Sequence, residues 1–315
     1  MRALHFDGSL AVRDVVSPEP REGEAIVRVR RAGICNTDVE IARGYMAFRG
    51  VLGHELIGEV VHAPDPAWIG ARVAGEINLA CGSCETCRRG LGRHCPARTV
   101  LGIAGKDGAF AELVTLPVVN LHRIPDAVPD DVAVFVEPLA AAFEILEQLH
   151  FDPSSRVAVL GDGKLGLLVS LVLRQTCADV RLVGKHARKR AIAEQAGVRT
   201  AGVDDALGPR FDIVVEATGS EAGLDRAIAI VRPRGTIVLK STFHGRASID
   251  SARIVIDEIT IVGSRCGPFE PAIAALASGR IDPRPMIDAT FSLEDALRAF
   301  QRAQEPGVLK VLIAP

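Results

Sequence analysis

The sequence lacks a long apolar run, an excess of charge of either sign and an apolar leader, and each absence excludes a class of protein. No stretch approaches the ~18 consecutive apolar residues that a transmembrane helix needs. Lys and Arg number 37 and Asp and Glu 39, so the net charge of −2 gives no electrostatic footprint for nucleic acid or an anionic membrane. The N-terminal residues mix charged and apolar side chains without the core of a signal peptide, which predicts a cytoplasmic protein.

What remains is a globular chain of 315 residues, too long for one ordinary core and long enough for about two domains. The first part, to about residue 139, shows short alternating segments between prolines, which predicts strands and turns. After Pro138, apolar strands alternate with helices, which predicts a doubly wound parallel sheet. The predicted strands there are 156–160, 180–183, 211–215, 236–239 and 258–262, the predicted helices are 139–149, 164–177, 186–196 and 224–231, and a helix at 271–278 and a strand at 308–313 follow.

The seven cysteines are unevenly distributed. Because their number is odd and a chain without a leader faces a reducing compartment, a disulfide framework is not expected. Four of them fall within fifteen residues at a spacing that suits a closed tetrahedral Zn²⁺ site, which is structural and not catalytic; the alternative is a loop that only happens to hold four thiols. These four are Cys81, Cys84, Cys87 and Cys95. We predict that Cys177 and Cys266 are buried thiols without a ligand.

A glycine motif, Gly161-Asp162-Gly163-Lys164-Leu165-Gly166, follows the predicted strand 156–160 and opens a helix. In that context it indicates a dinucleotide site, with the pyrophosphate at the helix N-terminus and Thr218, after a later strand, near the coenzyme. The segment Gly184-Lys185-His186 lies at the end of the next strand, followed by more basic residues and no acid before Glu194. This favours NADP(H) over NAD(H), which stays possible because a basic helix face is often only a solvated surface.

Five motifs occur in a fixed order: Gly-Ile-Cys-x-Thr-Asp at 33–38, Gly-His-Glu at 53–55, the four-cysteine lobe, Glu-Pro-Leu at 137–139 and the glycine motif. In this order the chain resembles the zinc-dependent medium-chain dehydrogenase/reductase family over nearly its whole length. The resemblance implies a mainly-β, GroES-like catalytic domain over 1–139 and 267–315 and a Rossmann domain over 140–266. It also implies two Zn²⁺ per chain and a homodimer or homotetramer.

The family pattern also implies the catalytic site. Its zinc would be held by Cys35, His54 and the carboxylate of Glu137, with Glu55 as an alternate ligand and an open position for substrate. The implied reaction is reversible hydride transfer between an alcohol or polyol and NADP(H) or NAD(H), giving a ketone or aldehyde.

Four further residues take roles from the same resemblance. Thr37 would bond the substrate oxygen and pass on its proton, while Asp38 would orient the ligand imidazole. Glu40 stands where liver-type members have the histidine that ends the proton relay, so the exit of the proton is open between Glu40 and water. Lys310 stands where relatives carry a basic residue close to the coenzyme phosphates.

Two other functions compete with this interpretation. A zinc-independent quinone or enone reductase of the same superfamily would not need Cys35, His54 and Glu137. A zinc hydrolase with a regulatory nucleotide domain would turn over without nicotinamide. The substrate itself is a small molecule that the sequence does not identify.

Overall fold

A computed structural model describes residues 1–208, 210–241 and 248–315. The chain forms two compact units: residues 1–137 with 269–315 make up the first unit, and residues 138–268 the second. No helix in the described ranges is both long and apolar enough to cross a membrane.

The strands and helices are numbered along the chain. The strands are β1 (Arg2–Phe6), β2 (Leu10–Asp14), β3 (Glu24–Gly33), β4 (Gly50–Val51), β5 (Glu55–His62), β6 (Arg72–Gly75), β7 (Asn78–Leu79), β8 (Thr99–Leu101), β9 (Gly105–Lys106), β10 (Leu113–Pro117), β11 (Leu121–Arg123), β12 (Arg156–Leu160), β13 (Asp179–Val183), β14 (Arg199–Ala201), β15 (Phe211–Glu216), β16 (Val231–Leu239), β17 (Thr260–Gly263), β18 (Ile287–Ser292) and β19 (Lys310–Ala314). The helices are α1 (Asn36–Ala42), α2 (Glu85–Arg88), α3 (Asp130–Ala133), α4 (Val136–Gln148), α5 (Lys164–Arg174), α6 (Ala187–Gln195), α7 (Glu221–Ile230), α8 (Ser251–Ile256), α9 (Phe269–Ala277) and α10 (Ala296–Ala303).

The first unit is mainly β, and strand β3 is its centre. The larger sheet has the order β11-β6-β5-β3-β19-β18, with β10 also paired to β3. Strand β3 alternates apolar and charged residues because one of its faces packs on the core. The C-terminal strand β19 pairs antiparallel with the end of β3, at Leu312↔Gly33, so the chain returns to the first unit.

The second unit is a six-stranded sheet of order β14-β13-β12-β15-β16-β17, and every pair in it is parallel. Its strands are near-continuous apolar runs because helices cover both faces of such a sheet. This is the doubly wound Rossmann order, and the α/β fold class with a mainly-β domain is confirmed.

Several elements differ from the sequence prediction. Helix α1 was not expected, because its polar residues gave no clear apolar period. Val231 begins strand β16 and does not end a helix. Strand β18 had no prediction, and Cys266 is only half-buried, unlike the fully buried Cys177.

Candidate metal and coenzyme sites

Cys35 lies at the junction of strand β3 and helix α1, where it is the N-cap residue of the helix. Its backbone N–H donates to Asp38 Oδ2 at 2.8 Å, which fixes the first turn. Asp38 therefore has the local capping role that a short polar side chain takes at a helix start, and its side chain is fully buried. The same carboxylate also faces His54 with its other oxygen, 3.2 Å from the imidazole Nδ1.

His54 follows a turn that requires glycine. Gly53 has φ of +99°, and a Cβ there would lie 2.9 Å from the backbone nitrogen of Phe110. His54 itself is 3% exposed. Burial disfavours the charged imidazole, but the charge of Asp38, together with Cys35, outweighs this and raises the pKa of His54 well above its usual value. Since Nδ1 faces Asp38, Nε2 is the ring nitrogen on the other side, where it could bind a metal.

The carboxylate of Glu55 forms a group with Cys35 and His54. One oxygen, one sulfur and one nitrogen from these residues lie within 4.8 Å of one another. This mixed donor set fits Zn²⁺. The other expected carboxylate, Glu137 in the first turn of α4, is near enough to His54 for their charges to interact. Burial raises the pKa of Glu137 to about 7. The negative charge of Glu55 adds to this rise, whereas the positive charge of His54 opposes it.

The two predicted proton-transfer residues lie on helix α1. Thr37 is half-buried, and its hydroxyl oxygen is 3.7 Å from the sulfur of Cys35. Glu40 is one helical turn further on, 35% exposed, and accepts a hydrogen bond from Arg43 at 2.8 Å. Helix α1 thus carries the Thr37 hydroxyl beside the Cys35 sulfur and, one turn further on, the partly exposed carboxylate of Glu40.

The four clustered cysteines converge around helix α2. Their sulfur atoms are separated by 3.9 Å (Cys81 to Cys87), 3.4 Å (Cys84 to Cys87), 3.8 Å (Cys84 to Cys95) and 3.6 Å (Cys95 to Cys81). A tetrahedron of Zn–S bonds of ~2.3 Å has edges of about 3.8 Å, so the arrangement fits one zinc ion. Backbone N–H groups of Ser83 and Cys84 lower the pKa of the Cys81 thiol to about 6, which favours the thiolate that a metal requires.

The glycine motif joins strand β12 to helix α5. Gly161 has φ of +110°, and a Cβ there would lie 2.7 Å from the carbonyl oxygen of Ala217. A Cβ on Gly166 would collide with the carbonyl of Gly161, so the helix packs closely on the strand. At Gly163 no heavy atom of the described residues lies within 4 Å of such a Cβ, which leaves open space before the helix N-terminus. Lys164 and Leu165, in the first turn, are half-buried. This cradle fits a pyrophosphate.

At the end of strand β13, Lys185 and His186 are exposed. Arg190 donates to the carbonyl oxygen of Gly184 at 2.8 Å and holds this turn against helix α6. Asp162, from the glycine motif, also reaches this turn and is bonded to the backbone N–H of His186. Sequence reasoning missed Asp162, although an acid between the first two glycines of the motif was a visible sign.

Two expected coenzyme residues have different surroundings. Thr218 is exposed at the end of strand β15, and its hydroxyl is bonded to the buried Glu216 and lies 2.8 Å from the Ser220 oxygen. The place of Lys310 near the coenzyme phosphates stays a prediction, and the contacts of its side chain lie within the first unit. Its side chain is 1% exposed, its ammonium group is paired with Glu55, and it lies 5.4 Å from the ring centre of Phe135.

Comparison with known proteins identifies the class. Residues 21–126 match the alcohol dehydrogenase GroES-like domain, and residues 165–278 match the zinc-binding dehydrogenase domain. L-threonine 3-dehydrogenase of Streptomyces avermitilis is 34% identical over 96% of this chain and 95% of its own. A zinc-binding dehydrogenase from Sinorhizobium meliloti, bound to NADP, superimposes with a TM-score of 0.92 at 30% identity, covering 100% and 99% of the two chains. An alcohol dehydrogenase from Escherichia coli, complexed with NADH, gives 0.93 at 26%, again covering 100% and 99%.

The chain belongs to the zinc-dependent medium-chain dehydrogenase/reductase family. Within that class it is an NAD(P)-dependent zinc oxidoreductase that acts on an alcohol or polyol. The family assignment predicted from the order of the motifs is confirmed.

Proposed function

We propose that the first unit is the catalytic domain, with one zinc on Cys35, His54 and Glu137 and a structural zinc on the four clustered cysteines. Two observations support this: the Cys35 sulfur and a His54 nitrogen converge with a carboxylate oxygen of Glu55, and Glu137 is near enough to His54 for their charges to interact. Glu55 belongs to the same group, but its charge is already matched by Lys310. We therefore assign Glu137 as the third ligand and Glu55 as the alternate one.

The protein's own residues would orient the alcohol and move its proton. A bound zinc supplies Lewis acidity towards the alcohol oxygen, and a bound nicotinamide takes up the hydride. The Thr37 hydroxyl, 3.7 Å from the Cys35 sulfur, accepts the alcohol proton and passes its own outward. Asp38 keeps the His54 imidazole in the orientation that offers Nε2. Glu40, three residues after Thr37 on the same helix, is placed to deliver the proton to solvent.

The second unit binds the dinucleotide in this proposal, and we assign NADP(H) as the preferred form. The support is the absence of an acid at the C-terminal end of strand β13 and in the turn after it, where Gly184 is followed by exposed Lys185 and His186. Exposed cationic groups at that point suit a 2′-phosphate.

The protein is proposed to act as a homodimer or homotetramer in the cytoplasm. Strand β17 is the edge of the six-stranded sheet, and Val255 and Ile256 on the preceding helix are 75% and 78% exposed. Exposed apolar side chains beside a sheet edge favour contact with another chain. Four clustered free thiols suit a reducing compartment.

The test is an assay of alcohols, polyols and ketones with NAD⁺ and NADP⁺, on wild type and Cys35→Ser, with Cys177→Ala as the matched control. We expect Cys35→Ser to lower kcat/KM by at least about 10³-fold, because a zinc ligand supplies several kcal/mol of transition-state stabilisation. Cys177 is a buried thiol in the other unit, so its variant should retain activity. Unchanged turnover in Cys35→Ser would refute the catalytic site. Stronger zinc loss in Glu55→Gln than in Glu137→Gln would reverse the ligand assignment.

A further inference from the structure

Asp162 links the glycine motif to the end of strand β13. Its Oδ2 accepts a hydrogen bond from the backbone N–H of His186 at 2.6 Å. The imidazole Nδ1 of His186 lies 3.2 Å from Oδ1 and 3.1 Å from Oδ2 of the same carboxylate. Asp162 is only 7% exposed, and both of its carboxylate oxygens lie against His186, 24 positions along the chain.

Gly184 makes this link possible. A Cβ on Gly184 would lie 2.5 Å from Asp162 Oδ2 and 2.6 Å from Asp162 Cγ. The Asp162 carboxylate therefore fills the space that a side chain at position 184 would occupy. In doubly wound folds the end of this strand is where the coenzyme ribose is distinguished by its 2′ substituent. An acid is thus present at this place after all, supplied by the glycine motif.

The contacts of the carboxylate decide what it does there. One oxygen of Asp162 accepts the hydrogen bond from the backbone N–H of His186, and both oxygens face the imidazole ring. The carboxylate therefore has little capacity left to accept a hydrogen bond from a ribose hydroxyl. Since Nδ1 faces Asp162, Nε2 lies on the opposite side of a ring that is 46% exposed. The neighbouring exposed cation is Lys185.

We propose that Asp162 is a positioning residue for coenzyme discrimination, which holds His186 as a ligand of the NADP(H) 2′-phosphate. This rests on the proposed preference of the second unit for NADP(H). The phosphate is bound by His186, and Asp162 acts through that ring and its backbone. Glycine at position 184 leaves room for the Asp162 side chain and excludes an acidic side chain at that position.

The experiment measures binding of nucleotide fragments that have no nicotinamide. Isothermal titration with adenosine 2′,5′-bisphosphate and with 5′-AMP is performed on wild type, Asp162→Ala, Asp162→Asn, His186→Ala and the double variant Asp162→Ala/His186→Ala. We expect Asp162→Ala and His186→Ala each to raise the Kd of the bisphosphate about tenfold, the effect of one charge-assisted hydrogen bond, and to change that of 5′-AMP less than about twofold. The double variant should bind no more weakly than His186→Ala, and Asp162→Asn, which keeps an acceptor for the backbone N–H, should lose less.

Three results would overturn the inference. Additive losses in the double variant would show that the two residues act separately. Equal weakening of both ligands would show a merely structural role for Asp162. Tighter bisphosphate binding by Asp162→Ala would show that the carboxylate repels the 2′-phosphate. If wild type does not prefer the bisphosphate to 5′-AMP, the proposed preference for NADP(H) fails together with the inference. If wild type has this preference but the losses in the double variant are additive, only the inference about Asp162 is refuted.

Discussion

The ammonium group of Lys310 and the carboxylate of Glu55 form an ion pair in the interior of the first unit, with side chains only 1% and 2% exposed. Strand β3 brings them together, since Gly33 pairs with Glu55 on one side and with Leu312 on the other. Gly33 has no side chain, and a Cβ there would collide with Glu55 Oε2. The pair therefore depends on the C-terminal strand joining the sheet beside β3.

Replacing Lys310 with methionine should destabilise the first unit strongly. Removing one partner leaves a buried carboxylate without a countercharge, which costs about 3–5 kcal/mol. The single tryptophan of the chain, Trp68, lies in this unit, so urea unfolding of the zinc-loaded protein followed by its fluorescence measures the loss. The double variant with Glu55→Gln should recover at least half of it.

Arg284→Met provides the control for this experiment. Arg284 pairs with Asp282 at 2.7 Å, but the two side chains are 61% and 43% exposed, and exposed pairs contribute about 0–1 kcal/mol. An equal shift of the urea midpoint in Lys310→Met and Arg284→Met would contradict the importance of the buried pair.

The second prediction concerns the four-cysteine lobe. Cys84 lies 3.4 Å and 3.8 Å, sulfur to sulfur, from two other members and also caps helix α2. Cys84→Ser should therefore reduce zinc from two ions to one per chain by elemental analysis, and the lobe should become sensitive to proteolysis because metal binding and local folding are coupled. Cys177→Ala is the control, since that thiol lies 3.8 Å from a backbone carbonyl and belongs to no cysteine cluster among the described residues. Two zinc ions retained in Cys84→Ser would exclude the structural site.

Elements that depend on local pattern could be predicted from the sequence. Strand β12 begins and ends where its apolar run does, because both faces of a parallel strand are buried. The four cysteines could be grouped because their spacing alone brings the sulfur atoms together. The fold class and the grouping of the four cysteines followed from such short-range information.

Relationships between distant segments could not be predicted. The Lys310–Glu55 pair joins residues 255 positions apart and is set by the pairing of both strands with β3. The place of the Asp162 carboxylate at the end of strand β13 could not be predicted, because it enters from the turn after β12 through the space left by Gly184. In both places a glycine in one segment leaves the space that a charged side chain from a distant segment fills.

The third prediction tests proton transfer through Thr37. Thr37→Val keeps the shape of the side chain but removes the hydroxyl, so kcat should fall about 10²-fold or more, as for loss of a proton-transfer group. Thr37→Ser, which restores the hydroxyl, should retain most of the activity. Zinc content and nucleotide Kd should not change in either variant, and a Thr37→Val enzyme with normal kcat would remove Thr37 from the mechanism.

The fourth prediction concerns Asp212, which connects three strands of the second unit. Its Oδ2 accepts from the backbone N–H of Arg156 at 2.8 Å, and its Oδ1 accepts from Arg232 Nε at 2.6 Å. Burial would raise the pKa of Asp212, but these two donors outweigh it and hold the pKa below its ordinary value. A lowered pKa in the folded state means that Asp212 stabilises the protein above its unfolded-state pKa and that this contribution is lost as the pH falls through the folded value.

Asp212→Asn should therefore destabilise the second unit by about 1–2 kcal/mol at pH 7, near the lower end of what hydrogen bonds to charged groups contribute, because the side chain is 31% exposed. The difference between wild type and variant should shrink as the pH falls below about 4, because Asp212 of the unfolded wild type takes up a proton there before the folded protein does. Urea unfolding followed by far-UV circular dichroism at pH 7, 5 and 3.5 measures this. Asp282→Asn, which removes an exposed carboxylate beside Arg284, should change stability by less than about 0.5 kcal/mol. A constant difference between wild type and Asp212→Asn at all three pH values would show that the charge of Asp212 contributes nothing.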